Sequence, residues 1–206
     1  MNELFWDDRS AIAEQAGRKA VFLSALARDD GQILIVEPGI PRSGTFVSAL
    51  RTAFMPLGRK PLSPCPHVEA CPLSGGKKGA KWCHFAFDTE DAPARLHKLS
   101  TLAHIPKERA TLSFLLAGNS AAAQPVSSAP SASTNQLSVR VVSDSFALPD
   151  GSSGRYACSA RGLILISGSR RTIEEAESGI LLSFANPQGA EKRDEKSGAL
   201  VLKVST

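Results

Sequence analysis

The sequence predicts a mixed α/β chain: a partial parallel α/β sheet, a cysteine-bearing module inserted into it, and a β-rich C-terminal region. Three observations carry this. Before residue 56, helix, buried strand, sharp loop and helix follow one another, the rhythm of a parallel α/β sheet. A Pro- and Gly-crowded stretch with no apolar periodicity then carries three of the four cysteines by Cys83. Beyond a Ser/Ala/Pro stretch, five short β-prone runs follow.

In order, residues 8–28 read as a helix. Asp7 or Asp8 can cap it, and Ile12, Ala16, Ala20, Leu23 and Ala27 recur at spacings of three to four. Asp29, Asp30 and Gly31 end it. Residues 32–37 read as a buried strand and 38–41, Pro-Gly-Ile-Pro, as a sharp loop. Ser43 can cap a second helix to about Phe54, with Phe46, Leu50 and Phe54 on one face. From 56 to 81 there is little to bury, so something other than a hydrophobic core orders the segment. Residues 90–102 read as a short helix and 110–117 as another buried strand. Residues 119–136 hold no charge and no aromatic ring, the composition of a flexible linker. Strands are expected at 137–143, 156–158, 163–167, 180–184 and 200–204, with a polar turn at 189–196. The division is 1–118 for the α/β part with its cysteine module at 57–85, 119–136 for the linker, and 137–206 for the β-rich region.

A chain of 206 residues, 42% hydrophobic, can bury a core and is neither a disordered tail nor a coiled coil. Apolar runs such as 33–36 are far too short to span a membrane, and acidic Glu3, Asp7 and Asp8 stand where an export signal needs positive charge. A reducing compartment is expected, and with it free thiols rather than disulfides. The net charge of +4 is uneven: residues 57–84 carry Arg59, Lys60, Lys77, Lys78 and Lys81 against Glu69 alone. Arg155, Arg161, Arg170 and Arg171 form a second basic cluster. Such clusters point to a polyanion, nucleic acid first, or simply to a solvated face.

Cys65, Cys71, Cys83 and Cys158 are separated by five, eleven and seventy-four residues. Four thiolates suit either a four-cysteine zinc site or a [4Fe–4S] cluster. Close pairs of the zinc-ribbon kind are missing, whereas Pro flanks Cys65 and Cys71 and stiffens the loop that presents them. Cys158, alone on its predicted strand, reads equally as a core residue. His67 and His84 can substitute as ligands, though a His beside a ligand more often donates to it. Trp82 reads as a shield over the site, and Glu37 as a strand-end residue that orients the next helix. The His residues offer no hydrolytic triad.

Read together, Asn2-Glu-Leu4, Ile33-Leu-Ile-Val-Glu-Pro-Gly39 with Pro41 and Gly44, Cys65-Pro-His67, Cys71-Pro-Leu73, Trp82-Cys-His-Phe85, Lys107-Glu-Arg109 and Leu112-Ser-Phe114 resemble, in that order, the methyltransferase-like proteins of the mitochondrial small ribosomal subunit and their bacterial relatives. The resemblance spans roughly residues 2–117 and thins over 137–166. It implies the C-terminal half of a Rossmann-like class I methyltransferase sheet, a role in small-subunit assembly against rRNA, and a structural [4Fe–4S] cluster on Cys65, Cys71, Cys83 and Cys158. The location implied is the bacterial cytoplasm, or the mitochondrial matrix in a eukaryote. Lys77, Lys78, Lys81, Arg155 and Arg161 are then candidate RNA contacts. The family's S-adenosylmethionine site needs a Gly-rich turn after a strand, and no such segment stands in this sequence. The chain alone is expected not to methylate, with no catalytic residue assigned. A separate chain carrying the N-terminal half, making a split but active RNA methyltransferase, and a zinc-stabilised binding module are the alternatives.

Overall fold

A computed structural model describes residues 10–74, 81–105, 108–119, 135–187 and 191–204. Helix α1 (Ser10–Leu26) and helix α2 (Pro41–Phe54) pack on strand β1 (Gln32–Pro38). Ile12, Ala16 and Ala20 of α1 meet Ile33 and Ile35 of β1 and Phe46, Leu50 and Phe54 of α2 in one core, as their spacing predicts. The candidate caps Asp7 and Asp8 lie outside the described residues. The second helix starts earlier than Ser43. Pro41 opens it, because the fixed φ of proline suits the first turn, and Ile40 at the cap makes no side-chain bond.

Two strands emerge where the sequence offered no periodicity. β2 (Arg59–Ser63) and β3 (Phe85–Asp88) both pair antiparallel with the long strand β4 (Arg109–Asn119). Pro61 is tolerated because β2 is an edge strand, and the register shifts between Pro61 and Ser63. Arg59, almost fully buried, donates to the carbonyls of Ala27, Arg28 and Gly31 and so satisfies the C-terminal end of α1. A charge that reads as solvated in the sequence is thus a structural cap.

The sheet order is β1-β4-β2 with β3 also on β4, and β4 is antiparallel to both β1 and β2. The expectation of a parallel sheet is therefore corrected. β1 and β2 run parallel to each other across the α2 connection, but the chain re-enters between them from the opposite end after pairing with β3.

The C-terminal half is β-rich, as expected. β5 (Gln136–Val141), β6 (Phe146–Ala147), β7 (Ser153–Ser159), β8 (Gly162–Gly168), β9 (Leu181–Ala185) and β10 (Leu200–Lys203) form a second sheet of order β10-β8-β7-β5-β9, with β6 on β7. Helix α4 (Arg170–Glu175), capped by Ser169, was not foreseen; its Ile173 plugs the core of Val139, Val141, Ile164 and Ile166. Most of the predicted linker, 120–134, lies outside the described residues.

A third cluster ties the two sheets together: Leu73 and Phe85 pack with Val142, Tyr156, Cys158 and Leu165, and with Cys71, Cys83, Leu112 and Phe114. Two apolar surfaces stay uncovered. Leu34 and Val36 lie open on the edge strand β1, and helix α3 (Ala94–Leu102) buries no residue at all. No described helix is long and apolar enough to cross a membrane.

Candidate metal centre

The cysteines converge on the seam between the two sheets. Cys65 and Cys71 sit in the loop after β2, Cys83 just before β3, and Cys158 on β7 of the second sheet, the only fully buried one of the four. Sequence distance is no guide here: Cys158 lies against the other three because β7 runs along the third cluster.

Their charges would act on one another. Burial raises the pKa of Cys83 well above the usual thiol range, and ionised Cys65, Cys71 and Cys158 would each push it further. Burial likewise raises Cys158, with Cys71 and Cys65 adding to it. Cys65 is raised by burial and drawn back by the Arg51 guanidinium beside it. Burial thus opposes ionisation at Cys65, Cys83 and Cys158, and a bound cation would favour their thiolates.

Two guanidinium groups, one buried and one half-buried, frame the loop. Arg51, from the last turn of α2, donates Nη2 to the carbonyls of His67 at 3.0 Å and Glu69 at 2.5 Å. Arg140 stands opposite Cys158 across the β5–β7 pair and donates Nε to the Pro64 carbonyl at 2.9 Å and Nη1 to Gly179 at 2.8 Å. Two positive charges thus accompany four potential thiolates. The sequence reading passed over both, because each Arg sits in an ordinary helix or strand pattern and only the fold brings it to the sulfurs.

His67 lies with Nε2 3.1 Å from the Cys158 sulfur. It is buried, and burial with the Arg51 charge lowers its pKa, so the ring is neutral. The ring thus touches one of the four candidate ligands. His84 instead stacks on Trp82 and meets the Trp82 carbonyl through Nδ1.

Trp82 packs against the start of α2, and glycine there leaves room for it. Its indole donates Nε1 to the Gly39 carbonyl at 2.9 Å. A Cβ on Gly44 would stand 2.7 Å from the Trp82 ring, and one on Gly39 would stand 2.6 Å from Thr111. Both positions are glycine because another group occupies the space of a side chain. Glu37 is buried, at the β1 end that leads into α2.

The donor set suits a metal chemically, since all four sulfurs are free thiols and a buried polar atom sits beside them: Arg51 Nε has no hydrogen-bond partner among the described residues. As they stand, however, no three or more His, Cys, Asp or Glu among the described residues are arranged to hold a metal ion. The expected ready-made four-cysteine module is to that extent not formed.

Among the described residues, the candidate RNA contacts Lys81, Arg155 and Arg161 each have a partner within the chain. Lys77 and Lys78 lie outside the described residues. Lys81 places its ammonium 3.8 Å from the centre of the Tyr156 ring. Arg155 is buried, donating to the carbonyls of Ser143 and Ile173. Arg161 binds Asn186, Pro187 and Glu191. Arg170 and Arg171 pair with Glu174 and Glu175 one turn on. The second basic cluster of the sequence is thus engaged with partners within the chain.

Two sheets joined by a cysteine-lined seam define a mixed α/β chain. The family model for the mitochondrial small ribosomal subunit protein Rsm22 matches residues 10–147, two thirds of the chain, and the chain belongs to that family. The match takes in Cys65, Cys71 and Cys83 and stops before the strand that carries Cys158. No individual curated protein matches.

Proposed function

We propose that this chain is a methyltransferase-like factor for small-subunit ribosome assembly, in which Cys65, Cys71, Cys83 and Cys158 hold a structural [4Fe–4S] cluster and the cysteine loop contacts rRNA. The observation that carries it is the meeting of four free thiols, from three separate segments, at the seam of two sheets. With four cysteine ligands no iron stays open to a substrate, so the group orders the loop rather than reacts.

Pro beside Cys65 and Cys71, and the lack of a close zinc-ribbon pair in the sequence, favour a cluster over a single zinc ion. Arg51 and Arg140 supply two positive charges against the net charge of −2 that four thiolates leave on a doubly charged cluster.

The Rossmann-like reading is supported by the β1–α2–β2 unit, whose two strands run parallel on either side of β4. The exposed edge of β1, with Leu34 and Val36 uncovered, favours a second reading as well: further strands carrying the S-adenosylmethionine site add to β1 and complete a split, active RNA methyltransferase.

Anaerobic purification tests the core of the proposal. The protein should be brown, with about four irons and four sulfides per chain. Colourless protein with one zinc overturns the iron reading. RNA binding should fall with salt and with Lys77→Glu, Lys78→Glu and Lys81→Glu together; an unchanged affinity removes the loop from the RNA surface. Retention of S-adenosylmethionine by the chain alone would contradict the reading of an absent cofactor half.

A further inference from the structure

A pocket of about 150 Å³ opens where the cysteine loop meets the second sheet. Leu73, Val142 and Tyr156 are buried and form its floor, while Lys81 is exposed and stands at its mouth. Trp82 and His84, stacked on each other with ring centroids 4.7 Å apart, form part of the wall. Phe146 backs the Tyr156 ring at 4.9 Å, and the Lys81 ammonium lies 3.8 Å from the centre of that ring.

Aromatic walls over an apolar floor suit the faces of a planar ring, and a cation at the mouth suits an anion joined to that ring. Size narrows the class. Pockets that bury a whole small ligand hold ~300–1,000 Å³. A pocket of about 150 Å³ takes one ring, presented by something larger that stays outside. A nucleobase on an RNA strand meets each condition: it is flat, it is small, and phosphates flank its sugar. An aromatic side chain of a protein partner is also flat and small, but nothing in it calls for Lys81. The Ser143 hydroxyl in the pocket already donates to the Asp144 carbonyl and accepts from the Tyr156 N–H. The pocket therefore holds a base by its faces and does not use this hydroxyl to read its edge. Asp144, next along the chain, is paired with Arg109.

Resting on the rRNA reading above, we propose that this pocket is a socket for one unpaired base of single-stranded RNA. The base lies against Tyr156, in the place now taken by the Lys81 ammonium, and the ammonium turns outward to a neighbouring phosphate. A cation–π contact at an exposed site is weak, so the exchange is easily made. Lys81 comes from the cysteine loop and Tyr156 from β7, so the bound base joins the loop to the second sheet.

The test uses the full chain in a Trp6→Phe background, which leaves Trp82 as the single indole. The probes are a short uridine RNA, an abasic RNA of the same length, and uridine monophosphate. The uridine RNA should quench Trp82 and bind about 5- to 150-fold more tightly than the abasic RNA, the range for one stacked base. Tyr156→Phe should keep that difference and Tyr156→Leu should lose it. Lys81→Gln should lower the salt slope by about one. Should Tyr156→Leu fail to fold, the abasic comparison on the unaltered pocket decides alone. Equal affinity for the two RNAs overturns the socket and leaves the rRNA reading standing, because the phosphates still bind. Uridine monophosphate binding as tightly as the RNA makes this a site for free nucleotides and overturns the strand. Displacement of the RNA by the amide of acetyl-tryptophan at a similar concentration makes it a socket for a protein side chain and overturns the base. A chain that binds neither RNA sinks both the socket and the reading beneath it.

Discussion

Gly44→Ala is a one-methyl test of how Trp82 packs on α2 beside the cysteine loop. In a helix, Gly→Ala ordinarily stabilises by about 0.5–1 kcal/mol, because alanine has less backbone entropy to lose. Gly17, in α1, is such a site: nothing lies within 4 Å of the Cβ it would gain. Gly44 is the opposite case. Its Cβ would meet Trp82 Cδ1 at 2.7 Å, Trp82 Cβ at 2.9 Å and the Cys83 carbonyl at 3.1 Å. Two of these contacts are closer than real Cβ atoms allow, so Trp82 or α2 must move. Overpacking of this kind costs about 1–3 kcal/mol, and loss of the indole bond to Gly39 adds about 1 kcal/mol. Set against the helix gain, Gly44→Ala should destabilise by about 1–3 kcal/mol while Gly17→Ala stabilises by about 0.5–1 kcal/mol. Urea unfolding of the two variants beside wild type, followed by Trp fluorescence and circular dichroism, reads both signs. If Gly44→Ala proves as stabilising as Gly17→Ala, Trp82 does not pack on α2 as described.

Arg51→Met keeps most of the side-chain volume but strands the carbonyls of His67 and Glu69, and should cost about 2–4 kcal/mol in urea unfolding of metal-free protein; a change under about 0.5 kcal/mol would mean that the clamp contributes nothing. The Arg109 guanidinium holds the Asp144 carboxyl below its ordinary pKa, so this pair adds stability above about pH 4 that disappears as pH falls through the lowered value. Both side chains are half exposed, which limits the effect of Asp144→Asn at pH 7 to about 1 kcal/mol or less. The wild-type advantage should vanish in acid; a gap that persists at low pH assigns it to something other than this ion pair.

Local pattern revealed α1, α2, α3 and the more buried strands, but not α4. The spacing of Ile12, Ala16 and Ala20 and the run from Ile33 to Val36 are statements about nearest neighbours, and nearest neighbours decide them. Strand direction was not legible. Whether β4 enters parallel or antiparallel depends on the long excursion through β3 and α3, which no short window contains. β2 was missed because Arg59, Lys60 and Pro61 are poor strand formers; the pairing with β4 and the Arg59 cap on α1 override that propensity. At the site, the ligand candidates were readable as residue types with Pro beside them. Arg51 and Arg140 were not, since a single Arg in a helix or a strand looks like any solvated charge. The same blindness worked in reverse at Arg155 and Arg161, where charges close in sequence suggested a surface that the fold does not present.

Cys158 is where the two meanings of a buried cysteine can be separated, because the family match ends before it and lends it no role. As a core residue it contributes by packing with Leu73, Phe85 and Leu165, and that contribution is the same with or without metal. Cys158→Ala should then cost about 1 kcal/mol in both metal-stripped and metal-loaded protein. As a ligand it contributes to the loaded form alone. A variant whose metal binding falls below the concentration at which the wild type is a hundredfold saturated forfeits about 2.7 kcal/mol of linkage stabilisation, and only in the loaded protein. Measuring the unfolding midpoint of wild type and Cys158→Ala in both forms gives four numbers and one decisive difference. An equal cost in the two forms makes Cys158 a piece of the seam between the sheets and leaves the loop cysteines with three sulfurs. A cost that appears on loading makes the second sheet part of the metal site, and the seam a joint that the metal closes.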